Sequence, residues 1–437
     1  MQNINQKRLL TEIFYAAVKA VDPYEAVRSY EEKILSTYKN TNCKKLFVVG
    51  FGKAAYPMAK AIEDDLLVFI DNGIVITKYG HCPDKLQKIQ VCEAGHPLPD
   101  ENGLKGTNAM IKLLNNADEQ TLVVCLISGG GSALLVSPHE SISLSEKQKV
   151  TELLLKAGVN IYGLNTVRKH ISKVKGGRLA EIAYPAKVIS LILSDVVGDR
   201  LDVVASGPTS PDKTTYKDAL IVLEKYGLMG MTPKAVLEVL YRGSNSLISE
   251  TPKEDDRIFG NVENIIIGSN KKALDAAKTK AESLGLHAEV LSSEILGEAK
   301  NVGRWLAKKA IETHNVVNKK HDGKICLISG GETTVTVKGN GLGGRNMELA
   351  LSFALEIEKI DGIALLSAGT DGTDGPTDAA GAIVNGETIT KAKALGLDPK
   401  EYLENNDSYN FFKKIGRLFI TGPTGTNVMD IQVLIVE

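Results

Sequence analysis

Two cations in this chain stand where a polypeptide can present charge to an anionic ligand. Lys53 lies in Gly50-Phe51-Gly52-Lys53-Ala54-Ala55, directly after an apolar run at 45–49. Arg345 follows a loop that carries Gly339, Gly341, Gly343 and Gly344. Backbone without Cβ can approach a ligand closely, and a helix that starts at such a turn offers free N–H groups and positive potential. A lysine there suits a phosphate or a transferring phosphoryl group. An arginine adds a planar, permanently charged fork that fits phosphate or carboxylate. The alternative for each is a solvated first-turn residue beside an ordinary tight turn.

A hexapeptide occurs twice. Cys125-Leu126-Ile127-Ser128-Gly129-Gly130 returns letter for letter as Cys326-Leu327-Ile328-Ser329-Gly330-Gly331. Two apolar runs ending in Ser-Gly-Gly predict two strand-to-loop elbows. The first comprises Ser128, Gly129, Gly130, Gly131 and Ser132, the second Ser329, Gly330, Gly331 and Glu332. Ligands of open α/β sheets sit beyond the carboxyl ends of the strands, so two such ends facing one another would make a cleft between domains. Acids also stand past apolar runs: Asp195 after 187–193, and Asp371, Asp374 and Asp378 after 363–367. The last three miss the EF-hand spacing, which disfavours calcium. They could hold Mg²⁺ together with phosphate oxygens, or each could bond its own backbone in an Asx turn. A basic cluster (Arg168, Lys169, His170, Lys173, Lys175, Arg178) reads either as a solvated helix face or as an anion-collecting wall leading into Gly176-Gly177-Arg178.

Other chemistries fit less well. Gly50-x-Gly52-x-x-Ala55 after a strand matches a dinucleotide fingerprint, but the following strand ends in Lys78 where a ribose-binding acid is expected. No GxxxxGK[ST] and no Gly-x-Ser-x-Gly occurs, and Ser132 has no identifiable His and Asp partners, so a hydrolase ranks third. The net charge of −1 supplies no basic field for nucleic acid. Five cysteines without CxxC spacing argue against disulfides and zinc and suit the cytoplasm. The N-terminus lacks the apolar core of a signal peptide, and no run approaches the ~20 apolar residues of a membrane span. What remains, anion-binding glycine turns, one cation in each half and acids at strand ends, suits phosphoryl transfer, which needs positioning and charge neutralisation.

The elements that must position these groups read as α/β. At 437 residues and 43% hydrophobic, the chain has room for two or three domains. Residues 5–38 have helical periodicity broken at Asp22-Pro23. Alternating strands and helices to about residue 193 predict a Rossmann-like, doubly wound, mainly parallel sheet over 1–245. The polar stretch 241–260 is the expected hinge. A smaller α/β domain over 260–437 is expected to have a mixed sheet, with strands at 325–328 and 333–337, a helix at 297–313 and a polar loop at 314–322.

Long segments of the chain also resemble one family. VVGFGKAA, EAGHPLPDENG, CLISGGGSALL, NTVRKHISKVKGGRLA, LILSDVVGD, ASGPTSPD, ISGGETTVTVKGNGLGGRNMELAL and SAGTDGTDGPTDAAGA, in order from about 45 to 430, resemble the class II glycerate kinases with a C-terminal MOFRL domain. The resemblance implies phosphorylation of D-glycerate at its 2-hydroxyl by ATP with Mg²⁺, in a cleft between the two domains. It points to Lys53 and Arg345 as catalytic. On this reading Asp195, Asp371 or Asp374 holds the metal, and Asp195 could instead orient the substrate hydroxyl. Gly52, the two Ser-Gly-Gly segments, Arg178, Gly343 and Gly344 then bind substrate or nucleotide. The alternative in the same resemblance is an NAD(P)H-dependent hydroxypyruvate reductase; a non-catalytic sugar-acid or nucleotide binder is a third class. A homo-oligomer is compatible with the sequence, which sets no oligomeric order.

Overall fold

The computed structural model describes residues 2–320 and 323–437. The chain divides into two compact units, one of residues 23–194 and 199–267, the other of residues 1–22, 195–198 and 268–437. The break thus falls at 267/268, past the polar stretch 241–260. That stretch belongs to the first unit, where Glu250 accepts the Tyr216 amide and Thr251 donates to Asp212. The opening helix, Gln2–Lys19, belongs to the second unit rather than the first. Its buried stripe of Leu9, Leu10, Ile13, Phe14 and Ala17 packs on helix Asn270–Ser283, and the Phe14 ring meets Phe419 edge-on at 5.2 Å.

The first unit is built on β1 (Lys45–Phe51), β2 (Ile70–Lys78), β3 (Ile89–Ala94), β4 (Thr121–Ile127), β5 (Lys187–Leu193) and β6 (Val262–Gly268), in the order β3-β2-β1-β4-β5-β6. The pairs β1–β2, β1–β4, β2–β3 and β4–β5 are parallel. Every residue of β4 and all but the first of β1 and β5 are buried, as expected for strands covered on both faces. This is the doubly wound order, and its sense reverses between β1 and β4. A helical layer follows. A capping box at Ser143 starts helix Leu144–Lys156, and Asn160 caps helix Ile161–His170. These helices share an apolar core that includes Val150, Leu154, Val167 and Tyr216.

The second unit carries β7 (His287–Glu298), β8 (Ile325–Thr334), β9 (Ile363–Gly369), β10 (Gly381–Asn385), β11 (Leu418–Phe419) and β12 (Asp430–Val436) in the order β11-β10-β9-β12-β8-β7. The sheet is mixed: β7–β8 is parallel, and β8–β12, β12–β9, β9–β10 and β10–β11 are antiparallel. Two expectations change here. Strand β8 runs unbroken through Ser329-Gly330-Gly331 and stops at Thr334, so 335–337 is not strand. The helix expected to end at 313 continues as Ala299–Lys320. Of the expected polar loop at 314–322, residues 321 and 322 lie outside the described residues.

Candidate functional site

The topological reversal of the first sheet brings two predicted segments together. β1 delivers Gly52 and Lys53, and its neighbour β4 delivers Ser128-Gly129-Gly130. The Lys53 amide donates to the Gly129 carbonyl at 2.8 Å, and the Ala54 amide to Ser128 Oγ at 3.1 Å. Gly52 has φ +128°, and a Cβ there would stand 2.1 Å from Ser128 Oγ, so neither the backbone angle nor the space admits a side chain. Helix Ala55–Leu66 begins just beyond this contact. The Lys53 side chain has no ion-pair partner among the described residues. The turn is further pinned from the Lys53 carbonyl, which contacts His81 Nδ1 at 3.1 Å and accepts from Thr77 Oγ1 at 3.3 Å.

His96 completes this corner and was not singled out from the sequence, although it lies within the EAGHPLPDENG segment. A Cβ on Gly130 would touch the His96 ring at 2.9 Å and the Lys53 side chain at 3.2 Å. Burial, with the charges of Lys53, Lys78 and His81, pushes the imidazole down to about 4. It is therefore neutral near pH 7, with one nitrogen protonated and one free to accept a hydrogen bond. On the far side of the elbow, Ser132 Oγ lies 2.7 Å from Ser206 Oγ, which donates to Asn165 Oδ1.

The basic cluster splits into two kinds of residue. Lys169 pairs with buried Asp212 at 3.2 Å, and His170 contacts Glu250 at 2.9 Å. Arg178 donates to Tyr216 Oη and the Ser249 carbonyl and pairs with Glu181, tying helix Arg178–Ala183 to these segments and not to the elbow. Arg168 and Lys175 have no carboxylate within ion-pair distance among the described residues.

In the second unit Arg345 opens helix Arg345–Glu356. Its Nε and Nη2 bind the two oxygens of Asp430 at 2.6 and 3.0 Å, and Nη1 binds Glu332 at 2.7 Å. Burial pulls the guanidinium pKa down, but Asp430 and Glu332 outweigh it and the net shift is upward. Asp430 opens β12 and was missed in the sequence, where nothing in its spacing marks it. The helix start is already occupied by a carboxyl group of the chain itself. Asp374 accepts the Asn346 amide at 3.1 Å and the Met347 amide at 2.8 Å. Burial raises the Asp374 carboxyl to about 7 against the pull of those amides. The neighbouring glycines answer to backbone packing: a Cβ on Gly344 would fall 2.3 Å from Asp374 Cγ, and one on Gly343 2.4 Å from Ser408 Oγ.

The second Ser-Gly-Gly copy is no elbow. Ser329, Gly330 and Gly331 pair with Gln432, Ile431 and Asp430 inside the sheet. The space where Gly330 would carry Cβ is filled by the Asn270 amide, which itself donates to the Val428 and Asp430 carbonyls. Identical letters thus make a turn in one sheet and strand interior in the other, because only in the second does an antiparallel neighbour continue the ladder.

Of the remaining acids, Asp195 follows β5 and is half-buried. Asp371 accepts from the amide and hydroxyl of Thr373, an Asx turn, through Oδ1. No group of three His, Cys, Asp or Glu side chains able to hold a metal gathers among the described residues. A Mg²⁺ ion bound here would need one or two of these carboxylates plus nucleotide oxygens, the arrangement this ion usually takes.

A cationic, glycine-built turn at the reversal point of an open parallel sheet places this chain among doubly wound α/β proteins, whose ligands sit at that point. Comparison with known proteins sharpens this. The domain of unknown function DUF4147 matches residues 9–241, and the MOFRL family matches residues 325–430. A D-glycerate 2-kinase of Thermotoga maritima is 48% identical, over 97% of this chain and 97% of its own. A glycerate 2-kinase of Pyrococcus horikoshii is 43% identical, over 96% and 95%. The crystal structure of the Thermotoga maritima glycerate kinase superposes with a TM-score of 0.89, covering 99% of this chain and 100% of that one. The chain belongs to the glycerate 2-kinase family, in which the MOFRL segment follows the DUF4147 segment. No helix among the described residues is long and apolar enough to cross a membrane.

Proposed function

We propose that this protein transfers the terminal phosphoryl group of ATP to the 2-hydroxyl of D-glycerate, giving 2-phosphoglycerate and ADP. The observation that carries the reading is the position of Lys53. A lysine free of any ion pair among the described residues stands at the reversal point of the sheet, its backbone fixed by Ser128 and Gly129. Phosphoryl transfer asks for positioned positive charge at the phosphate and little covalent chemistry. Lys53 supplies that charge, and neutral His96 beside it supplies a hydrogen bond to substrate or phosphate. Gly52 and Ser128 to Ser132 shape the floor on which the ligand rests. Arg345, held in one orientation by Asp430 and Glu332, is the second catalytic candidate, tested independently in its own unit. Asp195 and Asp371 are the carboxylates proposed to hold Mg²⁺ with phosphate oxygens; the ion would neutralise phosphate charge. With five free cysteines and no membrane-crossing helix among the described residues, a cytoplasmic location agrees with this reading.

The test is a coupled assay of the purified chain with D-glycerate and ATP, the product resolved as 2- or 3-phosphoglycerate. Appearance of the 2-phosphate supports the reading. NAD(P)H oxidation with hydroxypyruvate and no phosphorylated product would replace it with the reductase, although β2 ends in Lys78 where a ribose-binding acid belongs.

A further inference from the structure

Three basic residues of the first unit are withdrawn from solvent with no acid among the described residues to neutralise them. Lys147 on helix Leu144–Lys156 is 3% exposed, Lys175 is fully buried, and Arg168 on helix Ile161–His170 is half-buried. Burial lowers the protonation of all three: Lys147, which also feels the charge of Arg168, falls to about 7, and Lys175, which also feels Lys147 and Arg168, lies well below the usual lysine range. No carboxylate of the described residues lies within ion-pair distance of any of the three. Buried basic groups are normally paired, and the acids Asp212 and Glu250 are committed to Lys169 and His170. A fold that keeps three such groups together at a cost to its own stability has the signature of a site completed by an anion.

The cluster adjoins the Lys53 corner through one strap. Lys175 Nζ donates to the Ala205 carbonyl at 3.5 Å, and the Gly176 and Gly177 amides pair with the Ser206 and Gly207 carbonyls. Ala205 and Ser206 are held at φ +50° and +65°, a left-handed backbone that costs energy for residues with a side chain and recurs at functional sites. The same turn meets the elbow, where a Cβ on Gly131 would lie 2.8 Å from Ala205 Cβ and Ser132 bonds Ser206.

We infer that Lys147, Arg168 and Lys175 form the seat of the substrate carboxylate. The inference rests on the kinase reading above and assigns the second charged end of the hydroxy acid. An acid phosphorylated at a hydroxyl must present two groups, the hydroxyl toward the phosphoryl donor and the carboxylate elsewhere. A phosphate and a carboxylate share this chemistry, and the experiment separates them.

Lys147→Met and Lys175→Met keep chain length and remove one amine each; Arg168→Gln, at a half-buried position, serves if either lysine variant fails to fold. Each is assayed for KM with D-glycerate and with ATP, and for its preference for D-glycerate over uncharged glycerol. Thermal midpoints are read with and without D-glycerate in the absence of nucleotide. The expected result is a rise in KM for D-glycerate of about 10- to 100-fold, the range of a lost charged hydrogen bond. The glycerate-over-glycerol preference falls in parallel, and the KM for ATP stays within about twofold. The ligand-free lysine variants melt no lower than the parent, because a buried amine without an acidic partner has been replaced by an apolar chain. D-glycerate raises the midpoint of the parent and no longer that of the variants. An unchanged KM and preference for D-glycerate, or a rise in the KM for ATP alone, overturns the assignment. The thermal arm needs no turnover, so it still reads this site if the chain proves not to be a kinase.

Discussion

Arg345 grips Asp430 through two parallel bonds, Nε to Oδ2 at 2.6 Å and Nη2 to Oδ1 at 3.0 Å. Asp430 is 1% exposed at the first position of β12, and its own carbonyl is held by Asn270. The guanidinium of Arg345 therefore has one orientation, fixed from the sheet. Asp430→Asn should lower stability by at most about 3 kcal/mol, since a third of the Arg345 side chain remains in solvent and weakens the pair. It should also lower kcat more than it raises KM, if Arg345 contributes only when correctly aimed. Urea unfolding and steady-state kinetics on one preparation check both. A variant that loses stability with kcat intact would make Asp430 purely structural.

Asp374 offers a second separation of roles. Its carboxylate accepts two amides at the start of helix Arg345–Glu356. Asp374→Ala should destabilise the protein by about 1–2 kcal/mol, the upper range for a lost cap. Asp374→Asn, which keeps one acceptor oxygen, should cost less. Neither should change the Mg²⁺ concentration giving half-maximal activity if Asp374 serves the helix alone. A several-fold increase in that concentration for Asp374→Asn would restore it as a metal ligand.

The sequence carried the sheets further than it carried the site. Runs such as 121–127 and 187–193 are apolar throughout because parallel strands are covered on both faces, and this alone announces them. Lys53 and Ser128 could be read because glycines bracket them at strand ends. The partners that orient Arg345 could not, because Asp430 lies 85 residues away and reaches it only through antiparallel pairing. The same pairing turned the second Ser-Gly-Gly from a predicted elbow into strand interior. The basic cluster stayed ambiguous for another reason: adjacent letters on a helix face different neighbours. Lys169 meets an aspartate, while Arg168, one position earlier, meets none among the described residues. The opening helix went to the second unit because its apolar stripe fits helix Asn270–Ser283, a choice between two surfaces that periodicity cannot make.

Glu250 makes the first unit sensitive to acid. It accepts the Tyr216 and Thr251 amides and contacts His170, and although burial opposes ionisation these contacts hold its carboxyl down at about 2. The ordinary glutamate value is 4.5. Because the folded value is the lower one, the stabilisation is complete above about pH 4.5 and is lost as pH falls from there toward 2. Parent and Glu250→Gln should thus differ in thermal midpoint at pH 6 and converge by about pH 2. A constant difference across that range would show that Glu250 acts through shape rather than charge.

Lys53 bears the most direct test. Its backbone is fixed independently of its side chain, by the hydrogen bond from the Lys53 amide to the Gly129 carbonyl and by that from the neighbouring Ala54 amide to Ser128 Oγ, so Lys53→Ala should leave the turn and the thermal midpoint nearly unchanged. Removing a charge that acts on a transferring phosphoryl group should lower kcat/KM by ~10²-fold or more. Lys53→Arg should recover little, because a planar fork does not replace a compact ammonium beside the His96 ring. With Lys53 gone, one of the cations that depress His96 is removed, and the imidazole should titrate above about 4, observable by NMR of the ring protons. Arg345→Ala, measured alongside, tests the second unit by the same yardstick. A loss of only a few-fold for Lys53→Ala in a folded protein would remove this lysine from the chemistry and leave the elbow as a structural turn.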